Sequence, residues 1–350
     1  MATSNEKLFD LIVRRQINLQ RMSKTEGEAL LRLLNQSDDE IQTLLTEAAN
    51  KRGWGMGRLK AIRKEISKIR EPAMQSLRSR LKDLSTGTSS QEMAFTDTIL
   101  ERTVPVEVSL GKVPAADVRR AVLTTPFGDD QKMQTLGKWV TDLKAADQSR
   151  ILGVVQAAMV QGHTVPEMTR NMAAALNVTR NQAEALARTA VNHASNTARN
   201  AVFEANNDII RALRWTATLD GRTSPVCRAR DGQMKPTEGN KLLEGEEELP
   251  GDVSPPAHIR CRSVLVGVLN AETIASQFEG QERAAVAKQI GMVPARTTYG
   301  EWLRRQDRDF VVGVLGPGRA KMFLDGGLRM DQFVDRFGQP LTLEELARLS

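Results

Sequence analysis

Cysteine and histidine are scarce in this chain: 350 residues hold two cysteines and three histidines. Two cysteines cannot build the disulfide framework of a small secreted scaffold. Aromatic residues make up only 4%, with a single tyrosine. A core must therefore be filled by Leu, Val, Ile, Ala and Met, which favours packed helices over a β-sandwich. No apolar run approaches the ~18 residues of a membrane-spanning helix. The opening MATSNEKLFD has no apolar stretch of the secretory type, so the expected compartment is the cytoplasm of the cell that makes the protein. HExxH, HxE and GxSxG patterns are missing, which removes the common zinc-hydrolase and nucleophile-elbow signatures. GWGMG at Gly53–Gly57 lacks a preceding strand and a following Lys-Ser/Thr, so it is not a phosphate loop.

What is present fits a globular chain of two or three domains, 40% hydrophobic and 26% charged. The net charge of +6 is compatible with nucleic acid or an acidic partner. Residues 1–95 read as a helical, basic N-terminal region, with Leu8, Leu11, Ile12, Ile17 and Leu19 near helical spacing. Capping boxes at Ser23–Glu26 and Ser37–Glu40 predict two further helix starts. A basic helix is expected from Arg58 to Leu84. Between Lys51 and Lys82, eleven Lys/Arg against two Glu leave a local net of +9. STGTSS at Ser85–Ser90 reads as a linker. Residues 96–160 read as linker, strand and helices, the strand being the alternating Arg102–Pro114.

The region 161–270 reads as a core module. Thr164–Glu167 and Thr179–Gln182 mark helix starts. From about Arg180 to Asn206, Ala183, Ala187, Ala190, Ala194, Ala198, Ala201 and Ala205 form a small-residue stripe. Arg188, Asn192, Ser195 and Arg199 lie on nearly the opposite face, expected to be a solvated polar face unless it holds the next segment. Trp215–Leu269 reads as a small irregular α/β module. Residues 271–350 read as a helical tail, with a helix over Ala271–Ile290, a turn at GMVPA and a last helix capped by Thr342. The fold expected is mainly α with a small α/β module: a helical N-terminal region, an Ala-striped central helix, a turn-rich Cys/His clasp and a short helical tail.

Three of the five Cys and His residues, Cys227, His258 and Cys261, fall in that module. They could hold a structural zinc, with Asp220, Asp231, His193 or water as a fourth ligand. They could instead form a disulfide, or simply be buried thiols packed with a turn histidine. A catalytic metal with Asp220 or Asp231 as base is a further reading. A structural role uses more of the residues. Asp220-Gly221 and Arg230–Gly232 are turn signals, and Asp220 can accept from Thr223, Ser224 or Arg262.

ARTAVNHASNTARN (Ala187–Asn200), RWTATLDGRTSPVCRARDG (Arg214–Gly232) and PPAHIRCRS (Pro255–Ser263) together resemble the phage Mu F-type minor head protein family, the phage head morphogenesis proteins. The likeness covers about Gly162–Val268. Its motif residues are Arg188, Asn192, Asn196, Asp220, Arg222, Thr223, Cys227, Asp231, His258, Cys261 and Arg262, expected to build the clasp and dock it on the Arg180–Asn206 helix. The resemblance implies a virion protein inside the capsid near the portal, made in the bacterial host cytoplasm. It implies portal and other head proteins as partners, a part in head assembly and DNA packaging or ejection, and no enzyme activity. Arg58, Lys60, Arg63, Lys64 and Lys68 would then suit non-specific contact with genomic DNA. The rival readings are a DNA-binding internal protein ejected with the genome and a metal-dependent hydrolase.

Overall fold

Three long helices set the frame. The computed structural model describes residues 4–50, 56–104, 109–129, 131–251, 253–270, 282–286, 290–294, 297–335 and 338–349. Helix α1 spans Ser4–Asn50 and α2 spans Met56–Thr103. After α3 (Ala115–Thr124) and a hairpin of β1 (Phe127–Asp129) and β2 (Lys132–Gln134) come α4 (Leu136–Gln161) and α5 (Val165–Glu204). The first, second, fourth and fifth helices share one core, with Leu30, Leu34, Met74, Leu77, Leu81, Val140 and Leu186 buried together. Burying each such side chain contributes roughly 2 kcal/mol.

Neither serine capping box in the first fifty residues starts a helix. Buried Leu8, Ile12, Leu19, Leu30, Leu34, Ile41 and Leu45 carry one apolar stripe through both sites. The Ser23 and Ser37 hydroxyls donate back to the Gln20 and Leu34 carbonyls at 2.8 and 2.9 Å. Serine can make this bond inside a helix, so the local pattern mimics a cap. The expected linker Ser85–Ser90 is likewise helical. Ser85 and Ser89 donate to Leu81 and Thr86, and both are buried. Of the strand expected over 102–114, residues 102 and 103 end α2, 104 and 109–114 are irregular, and 105–108 lie outside the described residues.

The capping box Thr164–Glu167 does open α5, which then runs for 40 residues without the break expected at Thr179. Thr179 is buried and donates to Asp147 instead. The alanine stripe is a packing face: Ala183, Ala187 and Ala190 join the four-helix core, and Ala194 and Ala198 meet Val118 and Val122 of α3.

The small sheet follows α5. Strands β3 (Ile210–Thr216), β4 (Met234–Pro236) and β5 (Val264–Leu269) pair antiparallel in the order β4-β3-β5. The short helix α6 (Pro225–Arg230) lies between β3 and β4 in sequence. Buried Trp215, Leu213, Leu265 and Val266 join Leu8, Ile12, Leu100 and Phe203 in a second core. Mainly α with a small α/β module is therefore the architecture found.

The tail departs from expectation in two places: the helix expected over Ala271–Ile290, and the turn expected at GMVPA, where Gly291–Pro294 are strand instead. Within Ala271–Ile290 the described residues form strands, β6 (Glu282–Val286) pairing antiparallel with β7 (Ile290–Pro294). The rest of that span lies outside the described residues. Gly280 interrupts the helical window, at a cost of ~1 kcal/mol in a helix interior, and Val286, Ile290 and Val293 suit strands. Helices α7 (Tyr299–Arg304), α8 (Arg308–Leu315), α9 (Pro317–Leu324) and α10 (Leu343–Ala347) then build a third core. Thr342 caps the last of them in a full capping box.

Candidate functional site

The polar face of α5 is buried rather than solvated. Asn192, Ser195, Asn196 and Arg199 are all inside, and only Arg188 is half-exposed. The segment leading into β5 covers Asn192 and Asn196, whereas Arg199 meets Glu92 of α2. Asn192 Nδ2 donates to the Cys261 carbonyl at 2.9 Å and to the Ser263 carbonyl at 3.3 Å. Its Oδ1 accepts from Asn196 Nδ2 and from Gln16 Nε2 of α1, both at 2.9 Å. Asn196 Oδ1 accepts the Leu265 N–H at 3.1 Å, and Thr189 Oγ1 accepts the Arg260 N–H at 2.8 Å. Positions 189, 192 and 196 share one helical face, so side-chain groups there stand in for the strand neighbour that this segment lacks. Each buried backbone group thereby gains the partner it needs.

The turn after β3 is closed by charge. Asp220 receives both guanidinium nitrogens of Arg262, Nη2 to Oδ1 at 2.7 Å. It also accepts the Arg222 N–H at 3.0 Å and the Thr223 hydroxyl at 3.1 Å. Burial works to raise this carboxyl, but the Arg262 pairing outweighs it and holds the pKa below the usual range. The Arg222 side chain itself is exposed, 3.8 Å from Asp220. Asp231 joins β3 to the tail: its two oxygens accept the Ala217 and Tyr299 N–H groups, each at 2.7 Å. The Tyr299 hydroxyl donates to the Asp220 carbonyl at 2.9 Å. Burial pushes that phenol up to about 12.

Cys227, on α6, meets His258 and Cys261 beside this turn. Cys227 Sγ lies 3.3 Å from His258 Nε2 and 3.7 Å from Cys261 Sγ. All three ligand atoms fall within 4.8 Å of one another. Both cysteines are free, buried thiols. Zinc–sulfur bonds of ~2.3 Å in a tetrahedron set sulfurs about 3.8 Å apart, so the donor set fits zinc. His258 Nδ1 lies 2.8 Å from the Ile259 carbonyl. A proton there leaves Nε2 free to ligate, the outer-shell arrangement typical of metal-binding histidine. Burial opposes a charge on His258, yet its bond with Cys227 raises its pKa. Burial likewise works to raise Cys261, but hydrogen bonds from Cys227 and from the Ala257 and Ser263 backbone bring it down to about 7. The bond to Cys261 and then burial push Cys227 well above its ordinary value.

None of the protein groups expected as a fourth ligand approaches this cluster. Asp220 is held by Arg262 and Asp231 by two backbone N–H groups. His193 stacks on Phe127 with ring centroids 4.5 Å apart and faces the Val122 carbonyl at 3.0 Å. The neighbour instead is Ser224, whose Oγ lies 2.7 Å from His258 Nε2 and caps α6 by accepting the Cys227 N–H. Its Ser-Pro-x-Cys spacing is an N-cap pattern that could have flagged it.

Sequence reasoning also missed two buried ionic centres. Glu92 of α2 sits between Arg199, 3.1 Å from Nε, and Arg15 Nε at 2.9 Å, and Glu92 and Arg199 are both fully buried. Arg70, counted above among the basic residues, is buried between Asp147 at 2.7 Å and Asp38. The remaining cations of α2 differ. Lys60, Arg63, Lys64 and Lys68 are exposed, at spacings that place them near one face, with Lys68 paired to Glu65 at 2.8 Å. The Arg58 side chain lies outside the described residues.

Fold and site together define a mainly helical protein in which a small α/β clasp is latched to a long internal helix. Residues 149–266 match the family described as "Phage Mu protein F like protein". The matched stretch runs from within α4, through α5, β3, α6 and β4, into β5, so the clasp and its helix are the part of the chain that is similar to this phage head morphogenesis family. The family suggests a role in phage head morphogenesis and a place in the virion. No curated protein and no solved structure matches the chain. Among the described residues, no helix is long and apolar enough to cross a membrane.

Proposed function

We propose that this protein is a minor head protein of a tailed phage, held inside the capsid near the portal vertex, where it aids head assembly and DNA packaging or ejection. The observation that carries the reading is a coincidence of boundaries: the family match ends at 266, where α5 finishes latching the 260–265 segment. The role is architectural, because Asp220 and Asp231, the carboxylates a hydrolase would need as base, are committed to Arg262 and to backbone N–H groups. Cys227, His258 and Cys261 hold a structural zinc that ties α6 to the strap before β5.

The test is complementation of a phage lacking this gene. Wild-type protein should restore filled heads, co-purify with them and cross-link to the portal protein. Asn192→Ala protein should enter heads poorly. Normal head yield and DNA filling without the protein would sink the reading. Metal analysis should find about one zinc per chain, lost in Cys227→Ser with Cys261→Ser; metal-free protein of unchanged stability would remove the zinc.

The exposed Lys60, Arg63, Lys64 and Lys68 favour a second role, contact with packaged DNA. Duplex binding should weaken steeply with salt and fall when Lys60, Arg63 and Lys64 are changed to Gln. Salt-independent binding would discard that role.

A further inference from the structure

Between α1, α5 and the clasp lies a cleft of about 630 Å³. Arg21, Lys24, Arg188, Arg222, Arg260 and Arg262 line it, and Glu184 is the one carboxylate among the lining residues. Glu184 is shared between Arg188, at 2.5 Å, and Arg260, at 3.9 Å. Asp220 takes up Arg262 from behind. The cleft therefore carries a surplus of positive charge that the protein leaves uncompensated.

Two further features point to a ligand. Gln16, only 5% exposed, lines the cleft with its Oε1 buried and without a hydrogen-bond donor, although its Nε2 is engaged. Arg188 Nε is likewise buried and unpartnered. Buried polar groups without partners are uncommon and ask for an explanation. The rim also holds Arg260 in a left-handed backbone conformation, φ 65°. A non-glycine residue there is unfavourable, and such strain concentrates at functional positions.

We propose that this cleft binds an acidic peptide segment of a partner protein. Carboxylates suit the guanidinium groups of Arg188, Arg222 and Arg260, which present planar paired donors. A peptide backbone N–H supplies the donor that Gln16 Oε1 requires; a phosphodiester has no such donor. The cleft has the volume of a small-ligand site, suited to one extended chain rather than a duplex. No lining residue is aromatic, so the stacking platform of single-strand binders is missing. The site adjoins the metal cluster through Cys261, which lines one side of the cleft.

The probe is a fluorescein-labelled octapeptide of alternating Glu and Ala, titrated with the full-length protein and followed by anisotropy. Arms with the Gln-for-Glu peptide, a labelled oligothymidine and a labelled duplex run beside it. The acidic peptide should bind, weaken as salt rises, and lose about tenfold or more in affinity in Arg188→Gln with Arg260→Gln. The Gln peptide should not bind. Lys60→Gln with Lys64→Gln, on the outer face of α2, should leave peptide binding unchanged, and circular dichroism should show the cleft variant folded. Absence of peptide binding overturns the proposal. So does affinity indifferent to the two arginines, or tighter binding of either nucleic acid lost through the same substitutions. Should the cleft variant fail to fold, Arg222→Gln with Lys24→Gln, both exposed, applies the same criterion.

Discussion

Asn192 donates an amide proton to the carbonyl of Cys261 at 2.9 Å, across 69 positions of sequence. One carboxamide thereby joins the longest uninterrupted motif helix to the strap that carries the second cysteine, and through Gln16 it also reaches α1. Asn192→Ala would leave the Cys261 and Ser263 carbonyls without this donor and take one acceptor each from the Asn196 and Gln16 amides, which keep their bonds to the Asn192 and Arg262 carbonyls. The expected loss is about 2–4 kcal/mol, set by the cost of buried groups left unpaired. A fall in urea midpoint and faster amide exchange over residues 260–265 are the readouts. A variant as stable as wild type would show that water replaces the latch.

Asp220 and Arg262 form the second lock. Removing one partner leaves a largely buried charge, so Arg262→Gln should cost about 2–3 kcal/mol, below the full range for deeply buried pairs because Arg262 retains some exposure. Asp220→Asn with Arg262→Gln should cost less than the sum of the single changes. A double-mutant cycle in stability measures that coupling; additive effects would mean that the pair contributes nothing specific.

Glu92 presents the same logic at greater depth. With Arg199 on one side and Arg15 on the other, Glu92→Gln should destabilise by about 3 kcal/mol. Replacing Glu92 and Arg199 together by Leu and Met should be milder than Glu92→Gln alone. Thermal unfolding of the three variants decides it, and a double variant worse than the single would contradict this account.

Acid should destabilise the protein through His193. Burial lowers its pKa to about 4, against the ordinary 6.5, with the Val122 carbonyl opposing only in part. The folded state thus binds fewer protons than the unfolded state between those values. Stability from this group is complete above 6.5 and is lost as pH falls towards 4, by up to about 3 kcal/mol. His193→Gln should flatten the stability profile in that window. An unchanged slope would assign the acid sensitivity to other groups.

Much of the architecture was legible because helical periodicity is a local property. The stripe through Leu8, Ile12 and Leu19 and the alanine run from Ala183 to Ala198 correspond to buried faces, whereas Ala205 at the end of that run is exposed. Helix continuity was less legible. Ser23 and Ser37 carry the residue types of a cap, but a serine hydroxyl can satisfy itself one turn back, and only packing selects between the two. Arg70 and Arg199 read as surface cations because nothing near them in sequence announces Asp147 or Glu92.

By itself, the sequence determined a helix-rich chain with one irregular module, the turn at Asp220-Gly221, and Cys227, His258 and Cys261 as neighbours in one region. Only the tertiary structure decided what the polar face of α5 does. Spacing alone leaves Asn192 either solvated or holding the next segment, and the strap before β5 and Gln16 of α1, laid over it, decide for the second. The reason is physical. A helix writes its own periodicity into the sequence, whereas the partner of a buried amide is chosen by how distant segments pack.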